Sequence, residues 1–190
     1  MTADEFLAWS ASWGEGERYE LVDGIPVRLQ AERIAHAMVK AAVWRSADRQ
    51  LRAGIARPKC TAFIDGVSVR IAEDTLREPD VLIHCGPFDP NGKIADNPIV
   101  LVEVVSPSSA TTDRERKLID YFAIPSVRHY LVVLIPDRRV IHYEREIEGG
   151  DFQVRIAGMA DELSLDPPGI RMAIAEFFAD LPEETGLEEA

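Results

Sequence analysis

Apolar and polar positions divide the chain into three kinds of stretch. Some alternate, some recur at helical spacing, and one stays apolar almost without interruption. Residues 2–11, "TADEFLAWSA", set Phe6 and Leu7 behind Thr2 and predict a short amphipathic helix capped by that threonine. "RYELVDGIPVRLQ" alternates about Asp23-Gly24, a hairpin pattern, and "CTAFIDGVSVRI" repeats it about Asp65-Gly66. Residues 32–52 lack Gly and Pro, and Ile34, Met38, Ala41 and Leu51 give a roughly helical stripe that stops before Gly54. "PDVLIH" after Pro79 reads as a short strand, followed by the loop "CGPFDPNGKIADNP". "RHYLVVLI", "RRVIHYERE" and "DFQVRIA" are further strands, and "RMAIAEFFADL" predicts a closing helix.

The unbroken stretch is "IVLVEVV", residues 99–105, where the one residue that is not aliphatic is Glu103. Side chains alternate along a strand, so Ile99, Leu101, Glu103 and Val105 share a face, and Val100, Val102 and Val104 share the other. A strand apolar on both faces is a central one. A carboxylate there costs several kcal/mol unless a cation or hydrogen bonds compensate it. The polar stretch "SPSSATTD" leads into a helix over about 112–124, opened by the capping-box pattern Thr112-Asp113-Arg114-Glu115. Its apolar stripe is Leu118, Phe122 and Ile119. Lys117 and Tyr121, four apart, border that stripe, so Lys117 is a candidate cation for Glu103, while Arg114, Arg116 and Asp120 read as solvated. Strands gathered between helices, with no repeat and no linker, predict a single α/β (α+β) domain over 1–180 with a central mixed sheet flanked by helices. An acidic, frayed tail over 181–190 completes the chain.

Length and composition are those of one soluble domain with a real core: 190 residues, 46% apolar and 28% charged. No run approaches a membrane span, and the acidic N-terminus is not a signal peptide. Cys60 and Cys85 are isolated, which predicts reduced thiols in a cytoplasmic chain and no zinc knuckle. The net charge of −12 argues against a general nucleic-acid coat protein. A nucleic-acid enzyme remains open, because a divalent metal can supply the positive charge.

An upstream acid completes the constellation: Asp80, in "EPDVLIH". Two carboxylates on neighbouring strands can hold Mg²⁺ or Mn²⁺, which prefer oxygen ligands. Such an ion acidifies a bound water and neutralises a phosphate oxygen, and a lysine beside it can orient or deprotonate that water.

Here the sequence resembles the Uma-two family of restriction endonucleases, within the PD-(D/E)XK nuclease superfamily. The matching stretches are "YELVDGIPV" (19–27), His36, "EPDVLIH" (78–84), "LVEVVSPSSATTDRERKLIDYF" (101–122) and the "HYLVV" strand, and the likeness spans roughly Glu17 to Phe178. It implies a restriction-endonuclease-like fold, Asp80 and Glu103 as the metal acids, Lys117 as the catalytic lysine and Glu20 as a further acid near the site. DNA is then the expected substrate and Mg²⁺ or Mn²⁺ the cofactor. In the superfamily motif the lysine follows the second acid by two residues, where this chain has Val105; in the resembled family it comes from the helix, as Lys117 does.

Each residue also has a structural reading. Glu103 could sit in an ion pair, Asp80 in a turn, Lys117 on a solvated helix start and Glu20 on an exposed hairpin face. His36 reads as a satisfied or exposed helix histidine. His84 and His142 have no visible partner, and Tyr121 is core with its hydroxyl near the site. Trp9, Trp13 and Trp44 read as packing. The alternative to a metal-dependent endonuclease is an inactive nuclease-fold protein that binds a partner, with a hydrolase of other substrates as a third class. A basic groove at Asp80 would favour nucleic acid. Cutting both strands requires two sites, which predicts a homodimer.

Overall fold

The computed structural model of the protein describes residues 1–12, 17–54, 59–105, 111–146 and 152–182, with side chains from Glu115 onward in the helix that begins at Thr111. The first half runs α1 (Ala3–Ser10), β1 (Tyr19–Val22), β2 (Ile25–Arg28), α2 (Ile34–Ala53), β3 (Cys60–Ile64), β4 (Val69–Ala72), β5 (Thr75–Arg77) and β6 (Val81–Cys85). The second runs β7 (Pro98–Val105), α3 (Thr111–Ala123), β8 (His129–Leu134), β9 (Arg139–Arg145), β10 (Phe152–Ala157), β11 (Glu162–Leu165), β12 (Ile170–Ala173) and α4 (Ile174–Phe178).

The unbroken apolar run becomes β7, an inner strand of a six-stranded sheet ordered β10-β9-β8-β7-β6-β3. Its pairing with β8 is parallel, from Val100 opposite His129 to Val105 opposite Leu134, and α3 makes the crossover. Every other pair in the sheet is antiparallel. The alternation of β7 sorts two cores. Val100, Val102 and Val104 pack with Val39, Val43 and Ala47 of α2 and with α4 and the β11–β12 hairpin. Leu101 and Val105 pack on the other side with Tyr121 and Ile124 of the α3 segment and Val69 of β4. A second sheet, β2-β1-β5-β4, closes over α1 through Ala3, Phe6, Leu21 and Leu76. The predicted mixed, helix-flanked sheet is thus the fold.

Several expectations need correction. Residues 60–71 are not a hairpin. The Asp65-Gly66 turn is there, with both residues at positive φ, but β3 pairs with β6 while β4 pairs with β5. All five positions of β6 are buried, and an inner strand of that kind needs a neighbour on each side; β3 and β7 supply them. In α2 the buried stripe runs Val39, Val43, Ala47 and Leu51; Leu51 matches the predicted stripe, whereas Met38 and Ala41 fall one step out of phase and Ile34 is 81% exposed. Ile119 faces solvent, leaving Leu118 and Phe122 as the apolar border of α3. The closing helix starts only at Ile174, because the preceding "IRMA" pairs with β11 as a strand.

Cys60 and Cys85 are not isolated thiols: they stand opposite each other across β3 and β6 and are joined as a disulfide. Sequence separation hid a contact that only the strand register creates. Thr2 caps α1 with a full capping box, as predicted. Trp9 packs against Phe6 and Tyr19, and the Trp44 indole donates to the Ala62 carbonyl. Trp13, the side chains of Thr112, Asp113 and Arg114 in the predicted capping box, and the acidic tail from residue 183 lie outside what the structure describes. No helix among the described residues is long and apolar enough to cross a membrane.

Candidate active site

The site begins with register. Val81 pairs with Val102, so Asp80 just before the one and Glu103 just after the other fall on the same edge of the β6–β7 ladder. Asp80 Oδ2 accepts a hydrogen bond of 2.7 Å from the Val104 amide, which locks the two strand ends together. Glu103, 7% exposed, points into the space covered by α3. There Lys117 Nζ donates to its Oε2 at 2.9 Å and the buried Tyr121 hydroxyl donates to its Oε1. Lys117 and Tyr121, four apart on α3, reach it from one helix face.

The second sheet brings Glu20. It is buried, not exposed, and its Oε2 accepts from Arg77 at 3.0 Å while its Oε1 accepts from the Glu78 amide at 3.0 Å. That Oε1 also lies 3.9 Å from Lys117 Nζ. Arg77 is itself buried and bonds Asp120 of α3 through Nε and a terminal nitrogen at 2.9 and 2.7 Å. Asp120 is therefore a structural partner and not a solvated residue. The segment Arg77-Glu78-Pro79-Asp80 carries the chain from one sheet to the other, and its residues tie both sheets to α3.

Sequence reasoning missed the contribution of α2. His36 is no bystander: its Nε2 lies 2.7 Å from the Val104 carbonyl and 3.4 Å from Asp80 Oδ2, and its Nδ1 lies 3.2 Å from Glu32. Lys40, with 4% of its side chain exposed, pairs with Glu32 and Asp65 and stands 3.9 Å from Asp80 Oδ1. Arg18 links Glu78 and Asp65. The signal was present as Glu32, His36 and Lys40 at successive spacings of four, which place three ionisable groups along one line of a helix and its approach.

Glu20, Glu32, His36, Asp80, Glu103 and Lys117 line one cleft of about 770 Å³, with Tyr130 on its wall. It is not the basic groove that would mark a nucleic-acid surface outright, for its walls carry Arg18, Arg28, His36 and Lys117 against Glu20, Glu32, Glu78, Asp80 and Glu103. Burial is the largest influence on Glu103 and raises its pKa; Lys117 opposes it, Asp80 and Glu20 add to it, and the result is about 7. Burial also pushes Asp80 upward, but the hydrogen bond and charge of His36, the Val104 amide and Lys40 prevail and hold its pKa below the ordinary value. Burial is the largest single influence on His36 and lowers its pKa, but the hydrogen bond and charge of Asp80 together with Glu32 and the Val104 carbonyl outweigh it, ending at about 9, so it is an imidazolium at neutral pH. One carboxylate is thus firmly ionised and its neighbour is poised near neutrality.

The remaining histidines lie elsewhere. His84 is satisfied by the Pro87 carbonyl and the Asn97 amide. His142 does have a partner, His129, and burial, the larger cause in each, lowers both to about 4.

Comparison with known proteins agrees with the fold. A family model described as Uma2, putative restriction endonuclease, matches residues 3–175. The chain is 23% identical to the uncharacterized protein slr1290 of Synechocystis over 183 residues, covering 95% of this chain and 93% of the relative. It superposes on the crystal structure of a putative nuclease of the DUF820 group from Anabaena variabilis with a TM-score of 0.71 at 14% identity, covering 94% of this chain and 98% of the other.

Proposed function

The chain belongs to the Uma2 family of putative restriction endonucleases, and on that premise we propose that it is a divalent-metal-dependent endonuclease acting on DNA phosphodiester bonds in the cleft between β6, β7 and α3. The observation that carries the reading is that Asp80, just before β6, Glu103 of β7 and Lys117 of α3 line one cleft, with Lys117 bonded to Glu103. A buried Glu103, whose pKa Asp80 and Glu20 help to raise, calls for a further positive charge, and the oxygen donors of Asp80 and Glu103 suit Mg²⁺ or Mn²⁺. Asp80 and Glu103 would hold that ion, which when bound supplies a more acidic water and a counter-charge for a phosphate oxygen.

The protein's own groups perform the rest. The Val104 amide fixes Asp80 Oδ2, and the Tyr121 hydroxyl fixes Glu103 Oε1, so neither acid can rotate freely. Lys117 orients the attacking water and stabilises charge that develops on the phosphate. Glu20, braced by Arg77 and the Glu78 amide, positions Lys117. His36 holds Asp80 ionised from the α2 side. A homodimer would supply the second site needed for a double-strand cut.

The test is nicking of supercoiled DNA by the full-length protein in Mn²⁺ and in EDTA. Nicked circles in Mn²⁺ alone, absent for Lys117→Ala, are expected. A folded parent that leaves the DNA intact with both Mg²⁺ and Mn²⁺ would overturn the proposal in favour of an inactive nuclease fold that binds a partner.

A further inference from the structure

On the sheet face opposite Glu103, two histidines and a glutamate come together that the nuclease reading does not use. His129 of β8 pairs across the ladder with Glu144 of β9, and Leu131 with His142. Residues two apart on a strand share a face, so His142 and Glu144 project together beside His129. Leu131, Val133 and Val140, in phase with them, belong to the α2 core, whereas Tyr130, Val132, Ile141 and Tyr143 pack on the α3 side. The cluster is therefore separated from the candidate active site by the sheet itself.

Its geometry is that of converging donors. His129 Nδ1 and His142 Nε2 are 2.9 Å apart, and one ligand atom from each histidine and one from Glu144 all lie within 4.8 Å of one another. His129 is fully buried and His142 nearly so. The other nitrogen of His129, Nε2, is buried without a hydrogen-bond partner among the described residues, and the Pro167 and Asp166 backbone acts on the same ring. A ligating histidine commonly turns its second N–H toward a backbone carbonyl, which leaves the first nitrogen's lone pair for the metal. His142 and Glu144 also line a separate cleft of about 230 Å³, together with Gln153, Arg155 and Ser164, where a water could complete the coordination. Arg155 stands across the ladder from His142, but its guanidinium leans toward Asp161 at 3.6 Å and its side chain is half-exposed.

We propose that His129, His142 and Glu144 form a second metal site that takes one divalent ion of the zinc type. Two imidazoles and a carboxylate suit Zn²⁺, Co²⁺ or Ni²⁺, whereas Mg²⁺ and Mn²⁺ favour oxygen ligands such as Asp80 and Glu103. The site stitches β8 to β9 near the turn that joins β11 and β12, and the competing arrangement is a plain N–H···N hydrogen bond between two neutral rings.

Calorimetric titration of the tag-free, full-length protein with Zn²⁺ near neutral pH decides between them. In Asp80→Asn, where the other cleft has lost a metal acid, one Zn²⁺ per chain is still expected. His142→Asn and Glu144→Gln should each weaken binding by more than the roughly 10–100-fold that an outer partner of a ligand is worth. Co²⁺ should give visible d–d absorption in the parent that both of these variants lose. Parent protein that binds no Zn²⁺, equal binding by His142→Asn, or loss of binding in Asp80→Asn would each overturn the proposal. Should His142→Asn not fold, Glu144→Gln, at a half-buried position, carries the same comparison. Failure of DNA nicking leaves this result untouched, because His129, His142 and Glu144 take no part in the nuclease reading.

Discussion

In metal-free protein, Glu103→Gln should become steadily more stable relative to the parent as pH rises. Glu103 has a folded-state pKa of about 7 against an ordinary 4.5, with burial the main cause, Lys117 opposing it and Asp80 and Glu20 reinforcing it. Because the folded pKa is the higher one, the folded state binds the proton more tightly than the unfolded state does. The group's contribution is therefore full below pH 4.5, falls as pH rises toward 7, and is lost above that. At 1.36 kcal/mol per unit, the whole swing is on the order of 3 kcal/mol. The amide has no proton to lose in this range, so the variant lacks the swing. It still offers an oxygen to Tyr121, and Lys117 keeps Glu20 at 3.9 Å.

Urea unfolding of both proteins in EDTA, near pH 5 and near pH 8, measures the difference directly. His36 titrates over part of the same range, but it does so in both proteins and largely cancels. The variant should be at least as stable as the parent near pH 8, and its standing relative to the parent should improve by about 2–3 kcal/mol from the lower pH to the higher. If Glu103 instead serves as one half of a structural ion pair, its removal strands Lys117 and costs about 3–5 kcal/mol. A loss of that size near pH 8 would refute the reasoning and remove the main support for a metal site at Glu103.

The other expectations concern the parts of the same cleft. Lys117→Ala should retain metal binding, read by calorimetry, while nicking falls by about 10²–10³-fold. Asp80→Asn should weaken both metal binding and nicking. His36 has a folded pKa of about 9 against 6.5, so its contribution is complete below pH 6.5 and lost as pH rises through 9; His36→Gln should flatten the alkaline limb of a stability–pH curve by about 3 kcal/mol. Arg77→Met leaves Glu20 and Asp120 without their shared cation in a buried setting, and denaturant unfolding should register a loss of about 3–5 kcal/mol.

What the sequence made legible follows the physics of local pattern. The strand alternation placed Glu103 on a central strand, and helical spacing placed Lys117 and Tyr121 on the face that meets it. Tyr121 is buried with its hydroxyl on Glu103, as its position on α3 suggested. What failed was pairing. Nothing local says that β3 leaves β4 for β6, since the Asp65-Gly66 turn is equally good for a hairpin; the apolar demand of β6 decides, and that is a property of another segment. The Cys60–Cys85 bond and the His129–His142 pair were invisible for the same reason, because each is created by register across strands. The α2 contribution was lost to a phase error: with the stripe set on Ile34 and Met38, His36 and Lys40 fall on a flank, whereas the observed stripe turns both toward Asp80.

The acidity of the chain and its proposed substrate meet in this network. In the cleft each acid already has a named cation: Glu103 has Lys117, Asp80 has His36, Glu32 has Lys40, Glu78 has Arg18 and Glu20 has Arg77. Cations engaged in that way are poor receivers of phosphate, since each new contact would have to break an existing one in partly desolvated surroundings. On the proposed reading, a divalent ion held by Asp80 and Glu103 would change the balance twice over. It would add two charges where the acids crowd, and by neutralising Glu103 would weaken that residue's hold on Lys117, a cation that α3 delivers to the site. On the proposed reading, phosphate affinity is therefore built by the metal together with a lysine it sets free, and a net charge of −12 is compatible with a DNA-cutting site without any broad basic surface.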